Sequence, residues 1–382
     1  MDILPRSLFS VDHDLFREQV RRFVAKEIAP FHAEWESAHE VPKEVWKKAG
    51  SQGYLCCWVK EEDGGPGGDL LHDIIVCEEL GWAGATGPGF PLHSMIVAPY
   101  IVHHGVPALK RQILPGMASG EKVGAIVMTE PHTGSDLAAI RTRAVREGDE
   151  WAITGQKTFI TNGHNCDVMV VACKTDPDKG AKGISLFVVE SHMTGFSRGR
   201  NLRKIGQAAQ DTAELFFDHV RVPADHLLGE VDKGFGYLMQ ELIQERLILS
   251  VQCQARAEAA FSGTVDYVKE RKAFNKRVAD FQNTRFKLAE LKTQLQAGRA
   301  FCDRLVELHM EGRLDAATVS AGKLWHSEML ARVTDECLQL HGGYGYMMDY
   351  PIARAYVDAR IERIYAGTSE IMKEVIARSI LD

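Results

Sequence analysis

The sequence predicts an α+β fold in which a β domain separates two helical domains. Three observations carry this. Up to about residue 122, apolar residues recur at helical spacing; from about 123 to 233 the chain breaks into short segments rich in β-branched and aromatic residues; from Gly234 onward, long amphipathic stretches return with few prolines. The expected organisation is an N-terminal helical domain (1–122), a middle, mainly antiparallel β domain (123–233) and a C-terminal four-helix bundle (234–382).

In the first domain Leu15, Phe16, Val20, Phe23, Val24 and Ile28 mark one helical face, and Pro30 is expected to end that segment. Pro42 can open the next helix, with Val45, Trp46 and Ala49 on one side and Gly50 or Gly53 closing it. GGPGG at 64–68 reads as a loop, helical patterns resume near Asp73 and Ser94, and Pro115–Gly116 predicts another break. Strand signals follow in VGAIVM, WAITGQKTFITN, DVMVVACKT, GISLFVVES and AELFFDHVRVP. No helical pattern interleaves them, which argues against a parallel βαβ sheet. After Gly234 the strands stop, and helical stretches cover roughly 235–270, 281–311, 315–341 and 368–381.

Composition narrows the function classes. The 382 residues are 45% hydrophobic and 25% charged, with a formal net charge of −7, so the basic footprint of a nucleic-acid binder is missing. Apolar runs fall short of the roughly 18–20 residues that cross a bilayer. MDILPRSLF is too short and too acidic for a signal peptide, and a helical pattern starts too early for an Arg-rich transit peptide, so the expectation is a cytoplasmic protein, or a mitochondrial matrix one if the chain is a processed form. The eight cysteines form no CxxC pair and several sit in apolar runs, the pattern of buried reduced thiols; the histidines show no HExxH or similar spacing, and no metal site is expected. No glycine cluster follows a strand in GxGxxG form, so a dinucleotide would need another scaffold.

Two segments can carry chemistry. Met128-Thr129-Glu130-Pro131-His132-Thr133-Gly134-Ser135-Asp136 follows a strand, where backbone amides and small hydroxyls can hydrogen-bond a flavin or a thioester, although alone it is a polar turn. Thr158-Phe159-Ile160-Thr161-Asn162-Gly163 is a strand running into a turn. Taken together, MTEPxxGSD followed by GQKxFITN resembles the acyl-CoA dehydrogenase family. Gln339, Gly342, Gly343, Gly345, Tyr346, Asp349, Arg354 and Asp358 match the family's second signature, Glu270–Phe274 resembles its ERKxF element and Tyr365–Ile371 its YxGTxEI element. The resemblance spans essentially the whole chain and is nearest to the long-chain branch.

That resemblance implies FAD as cofactor. Met128, Thr129, Ser135, Phe159 and Thr161 would face the flavin ring; Arg271, Phe274 and Gln282 would reach a flavin held mainly by a neighbouring subunit; Gln339, Gly342 and Gly343 would lie near its adenosine and pyrophosphate end; Thr368 and Glu370 would complete the site. Ser135, Arg246, Tyr365 and Gly367 would border the acyl-CoA. Many relatives have Gly-Ala where this chain has His132-Thr133.

The family's chemistry needs a base for the thioester α-proton and donors for its carbonyl. Many members place a Glu within YxGT, where this chain has Ala366. A second branch places it on the first helix of the bundle, and Glu245, in Gln244-Glu245-Arg246-Leu247, stands at the matching position. Leu242, Ile248 and Leu249 surround it at helical spacing, so a raised carboxyl pKa is expected. From periodicity alone, a Glu beside an Arg on a helix is an ordinary solvated charge. The Ala366 backbone N–H would remain as a carbonyl donor beside the flavin ribityl hydroxyl. The implied reaction is α,β-dehydrogenation of long-chain or branched acyl-CoA, with electrons passing to an electron-transfer flavoprotein, in a homo-oligomer expected to be a tetramer without an added membrane-binding domain. An oxygen-reducing acyl-CoA oxidase and a catalytically silent flavin-binding scaffold are the alternatives.

Overall fold

The computed structural model describes residues 5–381. Helix α1 (Val11–Phe23) is capped by Ser10, whose hydroxyl accepts the His13 N–H. The segment does not end at Pro30. A π turn (Val24–Ile28) and a 3-10 turn (Ala29–Phe31) lead directly into α2 (His32–Ala38), because Pro30 lies in the first turn of the 3-10 helix, where its missing N–H is not needed. Helix α3 (Lys43–Ser51) starts behind Pro42 and buries Val45, Trp46 and Ala49, as the spacing predicts. Asp69 caps α4 (Leu70–Trp82) and also holds His13 of α1 at 3.1 Å, tying two helix N-termini together.

Helix α5 (Phe90–Leu92), a π turn (His93–Val97) and α6 (Ala98–His104) form one continuous segment. The break expected at Pro115–Gly116 is absent, since both lie inside α7 (Pro107–Ala118). Pro115 is on the exposed face, where the backbone carbonyl it deprives of a partner can turn to water.

The strands are β1 (Gly124–Val127), β2 (Arg143–Glu147), β3 (Glu150–Thr161), β4 (Val168–Lys174), β5 (Ile184–Glu190), β6 (Phe196–Asn201), β7 (Thr212–Pro223) and β8 (Leu227–Leu228). They run in the order β6-β7-β3-β2-β4-β5-β8, with β1 along β4. Pairing is antiparallel except that β1, and the end of β2, run parallel to β4. β2 and β6 are largely exposed and polar, and β8 has two residues, so none left an apolar run to read.

β4 and β5 are buried on both faces. Val168, Val170, Ala172, Leu186 and Val188 pack on α6 and α7, while Met169, Val171, Cys173, Phe187 and Val189 pack on Ile153, Leu215 and Phe217. Alternation between two cores explains why these strands read as continuous apolar runs.

The bundle consists of α8 (Gly234–Glu270), α9 (Gln282–Met310), α10 (Ala316–His341) and α12 (Ser369–Leu381). A short α11 (Pro351–Ala359) and a hairpin of β9 (Lys272–Ala273) and β10 (Lys276–Arg277) were not anticipated, so strands do not stop at Gly234. All eight cysteines are buried and free. No helix among the described residues is long and apolar enough to cross a membrane.

Helix α4 reaches the bundle through Gly81, where an added Cβ would stand 2.8 Å from that of Ala255 on α8. Beside this approach lies a buried ion network. Arg299 on α9 donates to Glu78 at 2.7 Å and, through two nitrogens, to Glu258 on α8 at 2.9 Å each. Arg6 bridges Glu78 and Asp303 at 2.7–3.0 Å. Burial alone would push the Glu78 carboxyl up, but Arg299, Arg6 and Arg17 hold it well below its ordinary range. Arg299→Met would leave Glu258 a buried charge without a cation and take one of the three guanidiniums from Glu78, so thermal unfolding at neutral pH should show a loss of about 3–5 kcal/mol. Replacing exposed Arg200, paired with Glu214 at 3.2 Å, by Ala should leave the same unfolding transition essentially unmoved.

Candidate active site

Helix α8 carries Glu245 on the face that buries Leu242, Ile248 and Leu249. The residue is 8% exposed, and its Oε2 has no hydrogen-bond partner among the described residues. Burial raises the carboxyl to about 7, with Arg246 and Lys323 pulling the other way.

The next residue along α8 ties this position to the turn before α12. Arg246 Nε donates to the Ala366 carbonyl at 3.4 Å and its Nη1 to Ser320 Oγ at 3.2 Å. From α10, Lys323 Nζ donates to the Gly367 carbonyl at 2.7 Å. Ala366 and Gly367 both have positive φ, +52° and +97°. Such a conformation costs a non-glycine residue about 1–2 kcal/mol, and two cationic clamps on successive carbonyls hold it. Among the described residues the Ala366 N–H has no backbone acceptor. The structure therefore brings together Glu245, Arg246, Ala366 and Gly367. Tyr365 lies on the same turn with its phenol buried beside Glu362 and Arg256, and burial pushes that phenol well above its ordinary value.

A second group forms where β1 and β3 end. The Thr158 N–H donates to the Thr129 carbonyl at 3.0 Å, placing Met128 and Thr129 next to Phe159 and Thr161. Lys157, fully buried, donates to the Met128 carbonyl and pairs with Glu130, both at 2.9 Å. Glu130 in turn accepts the N–H groups of Arg141 at 2.6 Å and Thr142 at 3.0 Å. Burial pushes the Glu130 carboxyl up, but Lys157 and the Thr142 bond outweigh it and hold it below its ordinary value. Phe159 sits in a bulge of β3 with φ +58°, and its ring is 67% exposed. Ser135 is exposed on the following turn. Of the two unusual residues there, His132 lies at the surface, whereas Thr133 is buried with its hydroxyl donating to the Asp136 carbonyl, a brace within the turn.

A third group lies at the far end of α8. Arg271, Gln339, Gly342, Gly343 and Tyr344 line a cavity of about 540 Å³. A Cβ added at Gly342 or Gly343 would meet nothing within 4 Å, and Gly342 has φ +60°. Open glycines beside a guanidinium suit a pyrophosphate, which needs close backbone N–H groups and positive charge, so these residues fit the distal part of FAD. Phe274 and Gln282 are exposed nearby, Phe274 by 90%. Thr368 accepts the Ile371 N–H at 3.3 Å, and exposed Glu370 lies in the first turn of α12, where its own N–H and the Thr368 hydroxyl hold its carboxyl below the ordinary range.

Lys323, Ser320, Lys157 and Glu130's bracing role were not read from the sequence. Lys323 left one trace, a lone cation among the buried positions of α10.

Models of the N-terminal, middle and C-terminal domains of acyl-CoA dehydrogenase match residues 10–121, 125–220 and 232–381. The chain is 53% identical over 382 residues to the mitochondrial long-chain specific acyl-CoA dehydrogenase of Sus scrofa, covering 100% of this chain and 89% of that protein. An acyl-CoA dehydrogenase from Geobacillus kaustophilus superposes with a TM-score of 0.97 at 48% identity, covering 99% of this chain and 100% of the other. A glutaryl-CoA dehydrogenase from Mycobacterium smegmatis in complex with FADH2 superposes with a TM-score of 0.90 at 28% identity, covering 98% and 95%. With all three domains matched in order and a relative more than half identical along the whole chain, this protein belongs to the acyl-CoA dehydrogenase family and is an FAD-dependent oxidoreductase.

Proposed function

We propose that this enzyme oxidises long-chain or branched acyl-CoA thioesters to trans-2-enoyl-CoA, with Glu245 as the base. The observation that carries the reading is a buried carboxylate without a partner, on the helix whose next residue grips the Ala366 carbonyl. Glu245 takes the α-proton, and the negative charge that develops on the thioester oxygen is received by the Ala366 N–H. That donor is a backbone group, so it persists where the side chain is not Glu, and one such donor is worth about 3 kcal/mol of barrier. Thr129, Phe159 and Thr161 would hold the flavin of FAD, which would supply the acceptor for the hydride from Cβ, with an electron-transfer flavoprotein as the expected partner. The full-length similarity to a long-chain enzyme supports the chain-length class.

Distance supports subunit sharing. Glu245 lies on α8 and Arg271 caps its far end, about 40 Å away at 1.5 Å per residue. One dinucleotide cannot touch both, so the Arg271–Gly343 cradle serves the flavin of a second copy. The proposed assembly is a homotetramer. Phe274→Asp should lower both FAD content and the mass seen by light scattering. Full flavin content in an unchanged assembly would count against sharing.

Anaerobic titration with palmitoyl-CoA, octanoyl-CoA, isovaleryl-CoA and citronellyl-CoA should bleach the flavin, fastest with the preferred class. Glu245→Gln should slow reduction about a hundred- to ten-thousand-fold. Equal bleaching in both proteins would remove Glu245 as the base.

The reduction rate of free enzyme should rise with pH through about 7, as the carboxyl ionises. Stability runs the other way. A folded value of about 7 against an ordinary 4.5 is a contribution fully present below about 4.5 and lost as pH rises through 7, about 3 kcal/mol in all. Glu245→Gln carries no such loss, so its melting temperature should pull ahead of wild type between about pH 5 and pH 8.

A further inference from the structure

Seven buried side-chain polar atoms among the described residues lack a hydrogen-bond partner, and three of them, on Tyr100, His104 and Glu245, lie along the contact of α6 with α8. Tyr100 and His104 are one turn apart on α6; Tyr237, Glu241 and Glu245 follow at one-turn steps on α8, so each set shares a face. Contacts set the register. The His104 ring stacks on Tyr237 with centroids 4.0 Å apart, and its Nε2 stands 3.4 Å from Glu241 Oε1. His103 Nδ1 lies 2.7 Å from the same oxygen. Deeper in, the Tyr100 hydroxyl is within electrostatic reach of both Glu241 and Glu245. Exposure grades along this line, from side chains 10% and 14% exposed at Glu241 and His104 to 47% at His103.

A base that has taken a proton must release it to water before it can act again, and a bound thioester covers the side of Glu245 that faces it. We propose that Tyr100, Glu241, His103 and His104 form a proton exit that carries the α-proton from Glu245 to solvent behind the substrate. This rests on Glu245 being the base. The unpaired atoms on Tyr100, His104 and Glu245 give a water enough polar partners to sit between them. The protonated Glu245 carboxyl gives its proton through such a water to the Tyr100 hydroxyl. That hydroxyl passes its own proton, again through water, to Glu241, and Glu241 passes one to His103 and bulk water. No group ends with a changed proton count once Glu245 is again a carboxylate.

The charges on other sides favour this direction. Arg246 and Lys323 face Glu245 and repel a proton on their side. Burial pushes the Glu241 carboxyl up, but the His103 hydrogen bond and the nearby His104 ring hold it below its ordinary value, so it is ionised and able to accept. His309 on α9 is a further titratable group in reach of Glu241 and His103.

The test uses the FAD-loaded enzyme in D2O with 3-thiapalmitoyl-CoA, whose sulfur acidifies the C2 protons and prevents hydride loss at C3. A long-wavelength absorbance on mixing reports that Glu245 has removed a proton; deuterium at C2, read by mass spectrometry, reports that this proton escaped before returning. Tyr100→Phe, which keeps the buried ring, and Glu241→Gln, which keeps the shape, should each slow deuterium incorporation about tenfold or more with the absorbance change intact. Incorporation at the wild-type rate in both variants, with the same absorbance, would overturn the exit. Wild type lacking both signals would instead overturn Glu245 as the base, and the exit with it.

Discussion

A carboxylate held inside a protein without a hydrogen-bond partner opposes folding, and the surroundings of Glu245 are organised around keeping one. Its helix buries Leu242, Ile248 and Leu249 on the same face, which anchors α8 irrespective of the acid. Two cations stand close, but Arg246 is drawn off to the Ala366 carbonyl and Ser320, and Lys323 to the Gly367 carbonyl. Each moderates the charge on Glu245 without forming an ion pair that would lock it. The balance leaves a carboxyl near 7 rather than one fixed in either form.

The same two cations shape the other half of the site. Ala366 and Gly367 take left-handed conformations that would relax in a free loop, and their carbonyls are gripped from α8 and α10. The proposed base and the proposed carbonyl donor are therefore positioned by shared side chains, one on each of two packed helices. The β domain uses a comparable device. Buried Lys157 and Glu130 fix the end of β1 against β3, and the bulge that turns Phe159 outward follows on the next two residues. In both places, buried charges spend their hydrogen bonds on backbone that a ligand would touch.

The helix–strand–helix order was legible because periodicity is local: 3.6-residue spacing in the helices and β-branched runs in β4 and β5 survive without tertiary context. Strands β2 and β6 were not, because their polar residues look like loop until a neighbour pairs with them. Pro115 misled because the carbonyl it leaves without a partner lies on an exposed face and can turn to water, so the helix continues past it. In the site, Glu245 could be singled out from its helical neighbours, the resemblance and the missing Glu at 366. Lys323, Tyr100 and the pairing of Glu241 with His103 could not, since their partners lie far away in sequence.

The sequence by itself determined the three-part architecture, the family and the identity of the candidate base, since each depends on residue type at local spacing or on motifs read in order. Tertiary structure alone decided how that base is tuned: which cations approach it, which carbonyls divert them, and which side chains line the way from Glu245 to the surface. Those depend on how α6, α8, α10 and the turn before α12 converge. Desolvation and Coulomb energy vary with distances between segments that are remote along the chain, and no local pattern encodes such distances.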